Sequence, residues 1–477
     1  MVYNNMLFVT HVPSCVTNNI LIITEESGSS ISPVSYLNGY LHETGKKADE
    51  FVIDEHTDLK ELFALACSYE IIGLCSWGHD REEIRDLLFN LRKNGKTTVI
   101  GGPGIIEEQK HFTHTVSGAG EYFLLDLLNG KKLPPFYRET KEPPYKFKLT
   151  DFLRQKLPLM DKNISVSVRT FDGCYWGKCY FCTYNQNYPN SLTGLDEKKA
   201  SIISTTLDEI VKNIKEVKKH AEITFYMSHA SINSKNLECL IEALKKSGKN
   251  FKWVTFIRPE EWVIKYLKDI HKLNGILDIG YEFICSRDLI NKGCFVEDEI
   301  RLSLEAFKEQ VPVKGNFLYC IPGTEEKDLI ECAVNTGRIR HCFSSFVLGQ
   351  LFIEKETEFY RKKEDFNIIC HDDIINYGRD ACENYMTHFE NYSGFRTVKD
   401  YDLFIENNKK FAMAVAEIME TEVYSWEDPI DMEVNLPPAD KEKICTILNK
   451  YFDDKDFIKK SIDYTWRISS GKSKNSE

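Results

Sequence analysis

What the chain lacks narrows its class first. No uninterrupted apolar run in its 477 residues approaches the ~18 that a membrane span requires, so no transmembrane segment is expected. Positive charge is short: 61 Lys and Arg against 73 Asp and Glu leave a net charge of −12. A nonspecific nucleic-acid binder needs a basic face for phosphates, and this balance argues against one. The opening MVYNNMLFVTHVPSC has neither a basic n-region nor a small-residue cleavage site, so no secretory signal is expected. Cysteine is not scarce. Fifteen, an odd number, in a large chain without an export signal read as reduced cytoplasmic thiols, most of them buried as small apolar residues. Charged residues at 28% and hydrophobic residues at 42% are those of an ordinary globular protein. The length suggests roughly three domains at ~150 residues each.

A further absence gives the chain its chemistry. Cys174, Cys179 and Cys182 fall within VRTFDGCYWGKCYFCTY (168–184), but no fourth protein ligand is adjacent. Structural zinc takes four closed ligands. Iron–sulfur cubes are held by thiolates, usually four. A cube held by three cysteines keeps one iron open to a group that is not protein, and an open iron is a place for chemistry.

The triplet, with Phe181 before its last cysteine, resembles that of the radical S-adenosylmethionine (radical SAM) enzymes. The spacing, C-x4-C-x2-C, has one residue more in its first gap than the commonest form, and GCYWGKCYFC looks like the variant of the cobalamin-binding branch. The resemblance implies a 4Fe-4S cluster on Cys174, Cys179 and Cys182, with S-adenosylmethionine chelating the open iron. Cleavage of that cofactor by the reduced cluster gives a 5′-deoxyadenosyl radical. It also implies an electron donor such as flavodoxin or ferredoxin.

The first ~130 residues alternate apolar strand candidates (ILIIT, FVID, IIGLCSW, TTVIGG, HTVS) with helix candidates at 33–45, 82–93 and YFLLDLLNG, the signature of a parallel sheet covered on both faces. Ligands of such sheets sit at the carboxyl ends of the strands. Glycines lie there: Gly101 and Gly102 after one strand, Gly118 and Gly120 after the next. VIGGPG followed by SGAGE resembles the Rossmann-like cobalamin-binding domain of the same branch. By position the resemblance implies Ser76, Gly101, Gly102 and Pro103 for the nucleotide tail, with Gly118, Gly120 and Glu121 matching the GxGE-like turn. Asp54-Glu55-His56 begins a DxHxxG signature but meets Leu59 where glycine is required, so His56 is not expected to ligate cobalt. His79, in the loop after the third strand, has two readings: a histidine approaching the lower face of the cobalt, or a solvated loop histidine.

Residues 139–163 read as an ordered Pro- and Lys-rich linker between a cobalamin-binding domain (1–138) and the next alternation. From 164 six strand candidates follow: ISVSVR, EITFYM, FKWVTFI, ILDIGYEF, KGNFLYCI and FSSFVLGQLF. A helix is expected over 206–219, capped by Thr206 and Glu209, and another opens at Pro259. Six strand–helix units suggest a barrel or partial barrel with function at the strands' carboxyl ends. Radical SAM enzymes use an open (β/α)6 barrel, which the resemblance implies over 164–360.

Within it, Glu282 matches an IGxE-like turn and would bind ribose hydroxyls. Arg258 would pair with the S-adenosylmethionine carboxylate. Ile321, Gly323 and Glu326 match a GxIxGxxE motif that packs on adenine, with Tyr319 replacing its first glycine. Ser228 and His229 stand where a GGE would contact the methionyl amine. Cys285, Cys320 and Cys342 are expected as buried thiols. Residues 361–477 read as a mostly helical C-terminal domain packed at the barrel mouth.

The resemblance implies an α/β enzyme using cobalamin, a 4Fe-4S cluster and S-adenosylmethionine. C-methylation of an unactivated carbon in a peptide or natural-product intermediate is the expected reaction. Cyclisation or rearrangement without methyl transfer is the alternative within the class, and a cobalamin or iron–sulfur sensor the alternative outside it. Nucleic acid and membranes are not expected as partners.

Overall fold

The computed structural model describes the chain apart from residues 1–19, 26–29, 32–33, 54–57, 76–81, 102–108, 140, 142–143, 145, 150–153, 156, 161, 171–172, 183–193, 229, 248–250, 287, 352, 354–356, 367–397, 422–429 and 469–477. Two sheets organise it. The first is six-stranded and wholly parallel, built from β1 (Ile20–Glu25), β3 (Asp49–Ile53), β4 (Ile71–Cys75), β5 (Thr97–Gly101), β6 (His114–Ser117) and β7 (Phe136–Arg138) in the order β3-β1-β4-β5-β6-β7. Alternate side chains serve opposite faces, because strand periodicity is two. Ile72, Leu74 and Ile100 pack on α2 (Leu59–Ala66) and α3 (Glu82–Lys93), while Ile71, Val99 and Val116 pack on α1 (Val34–Glu43) and α4 (Gly120–Leu128). The result is the expected three-layer sandwich. β7, only three residues long, carries too little pattern to be expected from sequence.

The second sheet holds the six expected strands in chain order: β8 (Asn163–Arg169), β9 (Glu222–Ser228), β10 (Lys252–Ile257), β11 (Gly275–Glu282), β12 (Val313–Tyr319) and β13 (Phe343–Gln350), all parallel. It does not close on itself. β8 pairs on its outer side with β2 (Ser30–Ile31), from the N-terminal half, and β13 pairs with the antiparallel β14 (Ile430–Glu433). β14 therefore covers one edge and β2 covers Ser165 and Val166 of the other, and the barrel stays open. The face of the sheet that meets the helices is apolar: Ile164, Val166, Phe225, Trp253, Leu277 and Phe317 are all buried.

Two local expectations are corrected. The helix α5 spans Glu197–Val217, capped by Asp196, whose side chain accepts the Lys199 amide at 2.8 Å. Thr206 is thus interior and turns its hydroxyl onto Ile202 O at 2.9 Å. A Ser/Thr-x-x-Glu pattern inside an already running helix has no free amides to cap. After Pro259 the chain forms a 3-10 turn, Glu261–Tyr266, before α7 (Leu267–Lys272); α6 (Ser234–Lys246) precedes β10 as expected.

The C-terminal elements do not stand apart from the barrel. Phe411, Val415 and Ile418 of α11 (Val398–Ile418), Ile444 and Leu448 of α12 (Lys441–Tyr451) and Ile458 and Ile462 of α13 (Lys455–Ile468) share one continuous core with the barrel. They pack mainly on α9 (Glu326–Ile339), which follows β12; α8 (Val296–Lys308) follows β11, and α10 (Glu358–Arg361) follows β13. Among the described residues no helix is long and apolar enough to cross a membrane.

Candidate active site at the cysteine loop

Cys174, Cys179 and Cys182 lie on the segment that leaves the carboxyl end of β8, where a parallel barrel keeps its chemistry. All three thiols are half-buried. Burial pushes the Cys179 thiol up to about 12, opposed by the cationic Lys292 and Arg258 nearby. Cations facing a thiol favour the thiolate that a metal requires. Three thiols on one loop, with cations beside the middle one, are a donor set that fits a three-cysteine iron–sulfur cube. Among the described residues no three Cys, His, Asp or Glu side chains form a finished metal cage. Phe181, beside the last cysteine, packs partly buried on the barrel core.

The other predicted residues divide. Glu282 ends β11 in a left-handed conformation (φ 54°) and pairs with the ammonium of Lys292, which also bonds Gly280 O. Lys292 is buried, and desolvation pulls its basicity down. Arg258 is not left open. Its Nε donates to Glu260 at 2.7 Å, its Nη2 to Cys294 Sγ at 3.3 Å, and its guanidinium lies 4.4 Å from the Trp176 ring centroid. It braces the cysteine loop. Ser228 ends β9, and His229, like His56, lies outside the described residues, as do Ser76, His79, Gly102 and Pro103.

The turn after β12 does not rest on glycine alone. Tyr319 and Ile321 are buried, and Gly323 has φ 82°. Cys320 between them is left-handed (φ 59°), which costs a non-glycine residue roughly 1–2 kcal/mol. Its amide is held by Asn408 Oδ1 at 2.9 Å, and the Asn408 amide nitrogen donates to Phe404 O at 2.9 Å. Asn408 reaches this turn from α11, a partner 88 positions away that no local motif announces. Asn408→Ala would orphan a buried N–H and is expected to lose about 1–3 kcal/mol in urea denaturation. Cys320→Gly should recover part of that loss in the same background. Cys285, Cys320 and Cys342 are buried thiols, as expected.

In the first sheet, Gly101 ends β5. Gly118 has φ 90°, and a Cβ there would lie only 2.8 Å from Glu139 O, so backbone packing already demands glycine. Gly120 begins α4. Glu121, in the first turn of α4, is fully buried and pairs with Arg169, the last residue of β8, at 2.5 Å. Tyr36 of α1 supports this pair: its hydroxyl accepts the Arg169 amide at 3.1 Å and donates to Ser167 O at 3.2 Å, under the Arg169 guanidinium. Burial pushes the Tyr36 hydroxyl up to about 12, so it stays a neutral donor. α4 starts just past the carboxyl end of β6, and Arg169 is itself a strand's carboxyl end. The segment after the carboxyl end of β6 and the carboxyl end of β8 therefore meet through this pair.

An open six-stranded parallel barrel with a parallel α/β domain on its mouth is the fold of the cobalamin-dependent radical SAM enzymes. The solved structures that share it include OxsB with aqua-cobalamin and S-adenosylmethionine bound (TM-score 0.60, 14% identity, covering 97% of this chain and 82% of that one). TsrM, a radical SAM methyltransferase from Kitasatospora setae, with cobalamin and a 4Fe-4S cluster bound, gives a TM-score of 0.58 at 11% identity, covering 95% of this chain and 99% of TsrM. TsrM with its tryptophan substrate and aza-SAM gives 0.53 at 12% identity, over 78% and 82% of the two chains. No protein-family model matches the sequence, and no curated protein matches it.

Proposed function

We propose that this chain is a cobalamin-dependent radical SAM enzyme, and that it C-methylates an unactivated carbon of a peptide or a natural-product intermediate in the cytoplasm. The observation that carries the reading is the meeting of two strand-end segments: β8 delivers both the cysteine loop and Arg169, and Arg169 is paired with Glu121 of the domain that would hold cobalamin. The likeness to TsrM and OxsB, which bind these cofactors, supports it.

In this reading Cys174, Cys179 and Cys182 hold the cluster, and Glu282, Arg258, Ser228, Ile321 and Gly323 border S-adenosylmethionine. Ser76, His79, Gly101, Gly102, Pro103, Gly118, Gly120 and Glu121 border cobalamin, Glu121 through its turn rather than through its carboxylate. When bound, the cluster with S-adenosylmethionine supplies a carbon-centred radical and cobalamin supplies a transferable methyl group. The chain's own part is positional. Trp176 and Arg258 brace the loop, Cys320 and Gly323 shape the adenine turn, and the Glu121–Arg169 pair holds one cofactor edge against the other. An electron must enter at the cysteine loop from a carrier such as flavodoxin or ferredoxin.

The test is anaerobic purification from cells given hydroxocobalamin, iron–sulfur reconstitution, and assay for 5′-deoxyadenosine and S-adenosylhomocysteine. Both products, and a substrate gain of ~14 Da for H replaced by CH₃, are expected. 5′-Deoxyadenosine without S-adenosylhomocysteine would replace methyl transfer by cyclisation or rearrangement. Neither product from iron-loaded protein would make the chain a sensor.

A further inference from the structure

The cysteine loop is gripped by a segment far away in the sequence. Residues 288–294 follow β11, and their contacts with the loop run along most of its length. The Tyr180 amide donates to Ile290 O at 3.0 Å. Trp176 Nε1 donates to Asn291 O at 2.8 Å, and Asn291 Nδ2 donates back to Lys178 O at 2.9 Å across 113 positions. The Trp176 indole lies so close over Gly293 that any side chain at 293 would overlap it.

Two residues of this strap, Asn291 (φ 52°) and Gly293 (φ 65°), are left-handed, so its path is specified rather than relaxed. The strap is itself pinned to the barrel. Lys292 bonds Gly280 O and the Glu282 carboxylate, its amide donates to Asp288 at 2.9 Å, and Cys294 accepts from Arg258. Within the loop, by contrast, the hydrogen bond between described backbone groups is a long one, from the Cys182 amide to Cys179 O at 3.3 Å.

We infer that residues 290–294 are a template that holds the cysteine loop's backbone folded before metal arrives, so that only the thiols need to rotate when the iron–sulfur cube is built. Asn291 and Gly293 are its positioning residues, acting through Lys178 and Trp176. A loop left to itself would lose its conformational freedom at the moment of loading, and the template moves that loss to the folding of the chain. This role for the strap rests on the proposed iron–sulfur site.

The test compares wild type, Gly293→Ala and Asn291→Ala as full chains without air. Amide hydrogen exchange of residues 174–182 is measured before iron is added. Iron and sulfide uptake and the electron paramagnetic resonance of the reduced cluster are measured afterwards. Gly293→Ala should exchange the Tyr180 amide faster and load iron about ten-fold more slowly, the effect of forcing an L side chain into this backbone. Asn291→Ala, which adds no bulk, should shift both readings the same way by less, with the melting temperature of the barrel retained. Exchange and loading at wild-type rates in both variants would overturn the template while leaving the site intact. A wild-type chain that takes up zinc or nothing would overturn the site itself, and the template with it.

Discussion

Under the proposed activity, Cys179→Ala is expected to lower 5′-deoxyadenosine formation by at least about 1000-fold while cobalamin uptake stays at the wild-type level. Cys174, Cys179 and Cys182 are the whole of the protein's share of the cube, so losing any one leaves two irons without a protein ligand. Cys179 has the cationic Lys292 and Arg258 nearby, which oppose the effect of burial on its thiol. The cobalamin-type domain has its own two cores and would not register the change. Cys285→Ala is the control. That thiol is buried in the barrel core, and its loss should cost stability only. The measurement is product quantification beside the cobalamin absorption spectrum. Equal loss of cobalamin in Cys179→Ala would mean that the two halves do not bind their cofactors independently.

Arg169→Leu is expected to be the most destabilising single change at the junction. It strands the Glu121 carboxylate at 0% exposure, where one oxygen, Oε2, already has no hydrogen-bond partner among the described residues. Removing one member of a buried pair costs about 3–5 kcal/mol, whereas replacing both by apolar groups is often close to neutral. The melting temperature should therefore fall by roughly 10 °C in Arg169→Leu and largely recover in Glu121→Leu/Arg169→Leu. Recovery of stability should not bring recovery of coupling. The double variant keeps both domains folded but loses the charge that registers them, so 5′-deoxyadenosine should form without matching product. A double variant with wild-type product per 5′-deoxyadenosine would show that the pair supports the fold alone.

Much of the architecture was legible because it is written in local pattern. The six barrel strands and the sandwich strands β1 and β3–β6 are short apolar runs, and the cysteine triplet is contiguous. What escaped reading is what tertiary contact decides. β2 is two residues long and has no periodicity, yet it pairs with Ser165 and Val166 on one edge of the barrel. Glu121 looked like a ligand in a glycine turn, and only the fold shows Arg169 meeting it 48 positions on. Arg258 ends a strand, and only the fold brings the Cys294 thiol onto its guanidinium beside the Glu260 carboxylate. Asn408 and the 290–294 strap touch motif residues from far along the chain, and their own sequence carries no periodic or capping signal. The Thr206–Glu209 pattern misled because Asp196 starts the same helix earlier.

The crossover of β2 onto β8 makes the two halves topologically interdependent. A fragment starting at Asn163 would carry the cysteine loop and all six barrel strands, but the outer rim of β8 would present bare amides and carbonyls to any neighbouring molecule. Such a fragment should self-associate through that rim. Residues 30–31 thus withhold Ser165 and Val166 from pairing with another chain.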